Sequence, residues 1–257
     1  MAMTLDDIVA KVTDPYDRQA RLYPALLCLL PLLALVALLY APDVSALTGV
    51  VTIAVSCGGL FLMTNICREM GKRLEDRLYR EWGGKPTTQL LRHRDGVIDS
   101  VTKRRYHAFL AAKINAAFPD AEQEKIDPAK ADEAYQSGAR WLLDHTRPDG
   151  GKKFDLLFRD NVTYGFRRNA LGARPLGIII ACGCLLWALV KEHVLFNPGG
   201  KPFDWSVLGQ LSPAAIASLS VSGIMLLVWL FFFTKNSLRS SAFSFAETLL
   251  RTCDTLQ

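Results

Sequence analysis

Two short clusters of cationic and aromatic residues offer this chain its clearest chemistry: Arg92–His93–Arg94 and Lys103–Arg104–Arg105–Tyr106–His107. An arginine fork grips two phosphate oxygens at once, and a tyrosine or histidine beside it can stack on a base or hydrogen-bond it. The residues this chemistry assigns to a ligand are Arg92, Arg94, Lys103, Arg104, Arg105, Tyr106 and His107, with an anionic nucleotide or oligonucleotide as the expected partner. Stretch 68–118 holds twelve Lys or Arg against six Asp or Glu, a net charge of +6. Its first part, Arg68 to Arg80, reads as charge that touches anionic headgroups. For residues 92–107 the competing reading is a solvated or partner-binding face.

These clusters lie between two pairs of long apolar runs, at Leu22–Ala41, Val44–Cys67, Leu176–Val190 extended to Phe196, and Leu211–Thr234. A bilayer core about 30 Å thick needs ~20 apolar residues as helix, so the expected architecture is an all-α, polytopic membrane protein. Two transmembrane hairpins, four spans in all, would flank an α-helical cytoplasmic domain. Of 30 Lys and Arg, only Lys191 and Lys201 fall at or between the outer ends of the pairs. Positive residues near span ends stay in the cytoplasm, which places both termini and residues 68–174 on that side of a cell inner membrane, among anionic lipids. The first run is too long for a signal peptide and is followed at once by a second span. The expected divisions are 1–21, a cytoplasmic N-terminal segment; 22–67, hairpin 1; 68–174, the basic domain; 175–234, hairpin 2; and 235–257, a C-terminal amphipathic helix.

No Asp, Glu, Lys, Arg or His sits at mid-depth in the spans, which argues against an ion-coupled pump or a proton relay. A passive pore needs only hydroxyls, small residues and apolar gates. The second run carries Thr48, Thr52, Ser56 and Gly59 at helical spacing, continuing toward Met63, and these are the candidate pore-lining residues. The fourth carries Ser218 and Ser222 above Met225 and Trp229. Either stripe serves equally as a close helix–helix contact, because Ser, Thr and Gly let backbones approach. Both stripes favour the second and fourth runs as interior helices and the Leu-rich first as lipid-facing.

Catalytic and metal motifs are missing. Gly84–Lys85 lacks the earlier glycine and the following hydroxyl of a P-loop, since Tyr79 and Pro86 stand there. Six cysteines, at 28, 57, 67, 182, 184 and 253, have no zinc spacing and read as reduced, packed thiols. No catalytic residue, metal site or cofactor is expected, and the chain does not read as an enzyme. The segment Trp82-Gly-Gly-Lys-Pro-Thr-Thr88 reads either as a helix-to-helix turn or as a phosphate-binding nest.

The elements that would hold the clusters follow from caps and breakers. A short acidic helix is expected from about Thr4–Leu5–Asp6–Asp7, ahead of Asp14–Pro15. No breaker separates Asn65 from Gly83, so the second span should continue as one helix with Met70, Leu74, Leu78 and Trp82 on one face. Helices should run from Thr87 or Thr88 to Arg94, from Asp99 or Ser100 to Phe118, and from Asp127–Pro128 to about Thr146. Asp149–Gly150–Gly151 reads as a turn, Phe154–Asn169 as the return to the membrane, and Lys235–Leu256 as an amphipathic helix.

The stretches Glu81-Trp-Gly-Gly-Lys-Pro-Thr-Thr-Gln-Leu-Leu-Arg92 and Asn161-Val-Thr-Tyr-Gly-Phe-Arg-Arg-Asn169, running into Leu171–Gly172, give the chain a family likeness. It resembles the four-span membrane effectors of bacterial antiphage defence, with the Hailong-type channel effectors as the named group. That resemblance implies a homo-oligomeric channel, such as a tetramer, opened or kept shut by a nucleotide-derived ligand from a partner nucleotidyltransferase. The expectation is therefore an oligomeric, ligand-gated ion channel or membrane-disrupting effector. The alternative is a membrane-anchored scaffold or sensor that docks a cytoplasmic partner and conducts nothing.

Overall fold

The computed structural model describes residues 15–40, 46–147, 153–196 and 202–256, with the backbone alone over 46–56. The expected helix near Thr4, Asp14, the turn Ala41–Pro42–Asp43, the start of the second run at Val44 and the turn Asp149–Gly150–Gly151 lie outside the described residues. So do residues 197–201 of the outer loop and the side chains of Thr48, Thr52 and Ser56. The described residues form helices and no strand; Leu195 and Phe203 make an isolated antiparallel bridge.

The helices are α1 (Asp17–Leu39), α2 (Ala46–Glu81), α3 (Pro86–Leu91), α4 (Ser100–Ile114), α5 (Ala121–Ile126), α6 (Pro128–His145), α7 (Asp155–Lys191), α8 (Pro213–Phe232) and α9 (Lys235–Arg251). Three of them, α1, α7 and α8, are long and apolar enough to cross a membrane. α2 is unbroken from its apolar half through Glu81. It ends where Gly83 and Gly84 take positive φ and return their amides to the carbonyls of Arg80 and Tyr79, which is the Schellman turn of a helix C-terminus. The same hydrogen bonds occupy the two glycine amides that a phosphate nest would have to offer.

The chain divides into an apolar unit, Met1–Arg73 with Gly165–Lys235, and a polar unit, Leu74–Tyr164 with Asn236–Gln257. In the apolar unit α7 buries Ala170, Ala173, Ala181, Cys184 and Ala188, a seam of small side chains. Small residues bring helix backbones close where there is no hydrophobic drive between helices. α8 turns Ala215, Ser218, Ser222, Met225 and Trp229 inward, and Gly177 of α7 leaves room for the Trp229 ring, which an added Cβ would overlap. α1 is packed on one face, at Ala25, Cys28, Leu35 and Leu39, and open on the other, at Leu30, Leu32, Leu33 and Val36. The Leu-rich first helix is thus half interior. Where α2 meets α7, a Cβ on Gly172 would fall 2.5 Å from the Gly71 nitrogen, so the two backbones come into direct contact at the glycines. Asn169, fully buried beside this crossing, donates to the Ala20 carbonyl in the π-type turn Asp17–Leu22 that opens α1.

The ends of these helices are closed by side chains. Arg174 donates to the carbonyls of Leu230 and Phe233 at the end of α8, and Lys191 donates to the Leu39 carbonyl of α1 while lying 3.7 Å over the Tyr40 ring. Each cation satisfies carbonyls that a helix C-terminus leaves unpaired. Tyr40 also accepts a hydrogen bond from Trp187.

The polar unit has its own core of Leu90, Leu91, Tyr106, Leu110, Tyr135, Leu142, Leu249, Leu250 and Cys253. Burying a leucine side chain is worth about 2 kcal/mol, and six of these are leucines with no exposed surface. The caps explain the register. Asp99 accepts from the Val101 and Thr102 amides to start α4, and Asp127 accepts from the Lys130 amide to start α6 at Pro128. α4 stops at Asn115, in the left-handed region, short of the expected Phe118. The next helix, α5, opens on a capping box between Asp120 and Gln123.

Candidate functional site

The first cluster is folded inward. Arg92, on the exit from α3, makes a two-pronged ion pair with Asp132 of α6, Nε to Oδ1 at 2.8 Å and Nη2 to Oδ2 at 2.6 Å, with 11% of its side chain exposed. The hydrogen bond to Asp132 raises the Arg92 pKa still further, so this cation is permanent. Arg94 is half exposed and lies 3.9 Å from Glu124, whose buried carboxylate accepts from the His93 amide, the Arg94 amide and the Tyr135 hydroxyl. Burial alone would raise the Glu124 pKa, yet these hydrogen bonds outweigh it and hold the carboxyl below its ordinary value.

The second cluster splits along α4 by helical geometry. Lys103 and His107 face the same core, one turn apart. The Lys103 ammonium, nearly buried, donates to the carbonyls of Arg92 (2.7 Å) and Asp95 (2.5 Å), and burial lowers its pKa. His107 stacks on Tyr135 with ring centroids 5.4 Å apart and bonds the Leu91 carbonyl through Nε2 at 2.7 Å. Burial pushes its pKa down to about 4, so at neutral pH the ring is uncharged and Nε2–H is the donor.

Arg105 and Tyr106 face another way, toward the end of α9. Arg105 grips Asp254 through Nε to Oδ1 at 2.9 Å and Nη2 to Oδ2 at 3.1 Å, and the Tyr106 hydroxyl donates to Oδ2 at 3.1 Å. Burial, then the Asp254 charge, pushes the tyrosine pKa up to about 12, which keeps it a donor. These groups border a 340 Å³ cavity that also takes in Val97, Ile98, Asp99, Thr102, Glu247 and Arg251. Arg104 is exposed, about 100° around α4 from Lys103 and clear of the core that Lys103 and His107 face. The seven predicted ligand residues therefore form a buried network around Glu124 and Asp132, a cavity edge at Arg105 and Tyr106, and a lone exposed arginine.

Sequence reasoning missed Glu124, Asp132, Glu247, Arg251 and Asp254. Glu247 and Arg251 form an i,i+4 pair that spacing does reveal. The approach of Asp254 to Arg105, 149 residues away, has no local signal. A second polar cluster also went unseen: the Tyr79 hydroxyl lies 3.0 Å from Glu75 and 2.7 Å from the Tyr164 hydroxyl, which itself donates to Glu75.

For the pore candidates, Gly59 is exposed with nothing within 4 Å of an added Cβ, and Met63 is half exposed. The neighbouring Cys57, Gly58, Phe61 and Leu62 are exposed as well, so this stretch of α2 is left uncovered by the described residues. Ser218 and Ser222 lie instead in the interior of the apolar unit. Their hydroxyls and the Trp229 indole N–H are buried with no hydrogen-bond partner among the described residues. Among the described residues no three His, Cys, Asp or Glu side chains are grouped as metal ligands. Comparison of the chain with protein families, with curated proteins and with solved structures finds no match.

Proposed function

We propose that the protein is a homo-oligomeric ion channel of the cell inner membrane, with four spans, both termini in the cytoplasm, and an anionic nucleotide or oligonucleotide as its gating ligand. The observation that carries this reading is the exposure of α2 at Cys57–Leu62. A segment with two open glycines, continuing the Thr48–Thr52–Ser56 stripe, is left bare where α1, α7 and α8 pack on one another. In an oligomer that face meets the central path or the next protomer. α2 is a single unbroken helix from this segment to Glu81. The antiphage-defence role of the effectors that the sequence resembles is part of the same proposal, with a nucleotidyltransferase as the source of the ligand. The scaffold reading draws on a different feature, a 620 Å³ groove beside Phe118 and Pro119 where Ile126 is 83% exposed.

Reconstitution tests the channel. Ion flux from vesicles is measured with and without ATP and a short oligodeoxynucleotide, alongside the detergent-corrected mass. The native Cys57, in a Cys182→Ser background, is then modified with a bulky methanethiosulfonate. A multimer whose flux falls on modification supports the proposal. A monomer, or vesicles that conduct under none of these conditions, refutes it. Orientation is read separately: a reporter active only in the cytoplasm should work after Thr88 and fail after Asn197.

A further inference from the structure

We propose that the 340 Å³ cavity edged by Arg105, Tyr106, Thr102 and Arg251 is the site for the phosphate group of the gating ligand, and that Asp254 occupies it as a built-in competitor. The inference rests on the reading that an anionic ligand addresses this unit, and it names the place and the device. Its volume lies at the lower end of the ~300–1,000 Å³ typical of ligand pockets.

Elimination comes first. Arg92 is committed to Asp132 in a pair that is largely buried, and Lys103 is held by two carbonyls. His107 carries no charge at neutral pH and already donates to Leu91. Recruiting any of these to a ligand would strand a buried carboxylate or carbonyl, which is costly. Arg105 is different. Its side chain is 47% exposed, that of Asp254 is 42% exposed, and exposed pairs of this kind exchange partners at little cost.

The geometry then matches the ligand. Asp254 receives two parallel N–H bonds from the Arg105 fork and a third from the Tyr106 hydroxyl. A phosphate group presents the same pair of oxygens to a guanidinium, with a third oxygen to spare. Arg251 also lines the cavity, tied to Glu247 with 63% of its side chain exposed. The cavity thus holds two arginines against three carboxylates. Asp99 is fixed as the cap of α4 and Glu247 sits within α9, whereas Asp254 lies in the short turn Thr252–Asp254 beyond α9. Rotation of the Asp254 side chain alone removes one negative charge and frees the Arg105 fork. A phosphate that binds must displace this carboxylate, so the resting occupant sets the threshold for the ligand.

The test uses the full chain in detergent at low salt, titrated with inorganic pyrophosphate and followed by calorimetry. Asp254→Asn removes the competing charge and should tighten binding about tenfold. Arg105→Gln should abolish binding in either background, while Arg140→Gln, at an exposed position of α6, should leave it unchanged. Helical circular dichroism of each variant establishes that it is folded. A second arm replaces pyrophosphate with dispersed short-chain phosphatidylglycerol. Asp254-dependent binding in the first arm alone assigns a soluble phosphate ligand, and in the second alone a lipid headgroup. The inference is overturned if Asp254→Asn binds no better than the native chain in both arms, or if folded Arg105→Gln still binds. Ion flux plays no part, so a protein that binds in this way and conducts nothing sinks the channel reading and leaves this one standing.

Discussion

His107 makes the polar unit acid-sensitive. The ring is 8% exposed, its pKa in the fold is about 4, and its ordinary value is 6.5. A base whose pKa is depressed by folding gives its full stability above the unfolded pKa and loses it as pH falls toward the folded one. The window is therefore 6.5 down to 4. Linkage over that interval costs about 2 kcal/mol between about pH 7 and about pH 5, and about 3 kcal/mol once the folded pKa is passed. Glu124, held below its ordinary 4.5, begins to add its loss as pH falls below that value. In urea, with a slope of about 2 kcal/mol per molar, the midpoint should move down by about 1 M between those two pH values. His107→Gln keeps a donor for the Leu91 carbonyl and removes the titration. Its midpoint should start lower, through lost stacking on Tyr135, and should change little with pH. The assay is urea-induced loss of helical circular dichroism, in the same detergent at both pH values. If native and variant midpoints shift equally, the neutral buried histidine is not the cause and the reasoning fails.

Three other substitutions probe the packing. Gly172→Ala drives a methyl into the Gly71 backbone and should cost about 2 kcal/mol, read as a lower melting temperature of the detergent-solubilised chain; an unchanged melt would show that the crossing is not tight. Gly177→Ala should destabilise by overlap with the Trp229 ring, and Trp229→Leu in the same chain should restore part of the loss, a coupling that a double-mutant cycle measures. Asp132→Asn leaves Arg92 facing an uncharged partner in a mostly buried site and should cost about 2 kcal/mol, measured as the urea midpoint at neutral pH.

Much of the helical framework was legible because it is written locally. Asp99 and Asp127–Pro128 announce α4 and α6 through capping chemistry that needs no neighbour, and the absence of any breaker before Gly83 predicts the length of α2. Asp120 and Gln123 announce α5 by the same rule, although no helix was expected between Phe118 and Asp127. The small-residue seam Gly177, Ala181, Cys184 and Ala188 is readable by spacing too, although the hydroxyl stripes of α2 and α8 are the stronger local signal. The basic cluster was the hardest to interpret. Three of its counter-charges, Glu124, Asp132 and Asp254, lie outside residues 68–118, so a charge count over that window finds an excess that folding offsets by half. Residue type gave the chemistry of Arg105 and Arg92 alike; burial separates them, and burial is set by tertiary packing.

The crossing of α2 and α7 at Gly71 and Gly172 behaves as a rivet. Elsewhere in the apolar unit, side chains such as Leu35 and Trp229 are seated between helices, and changing a crossing angle would force rotamers to jump. At the glycine pair the two backbones set the distance themselves, with the hydrogen-bonded Asn169 side chain also pressing on Gly71. Any bulkier residue at either position would act as a wedge and push the two helices apart.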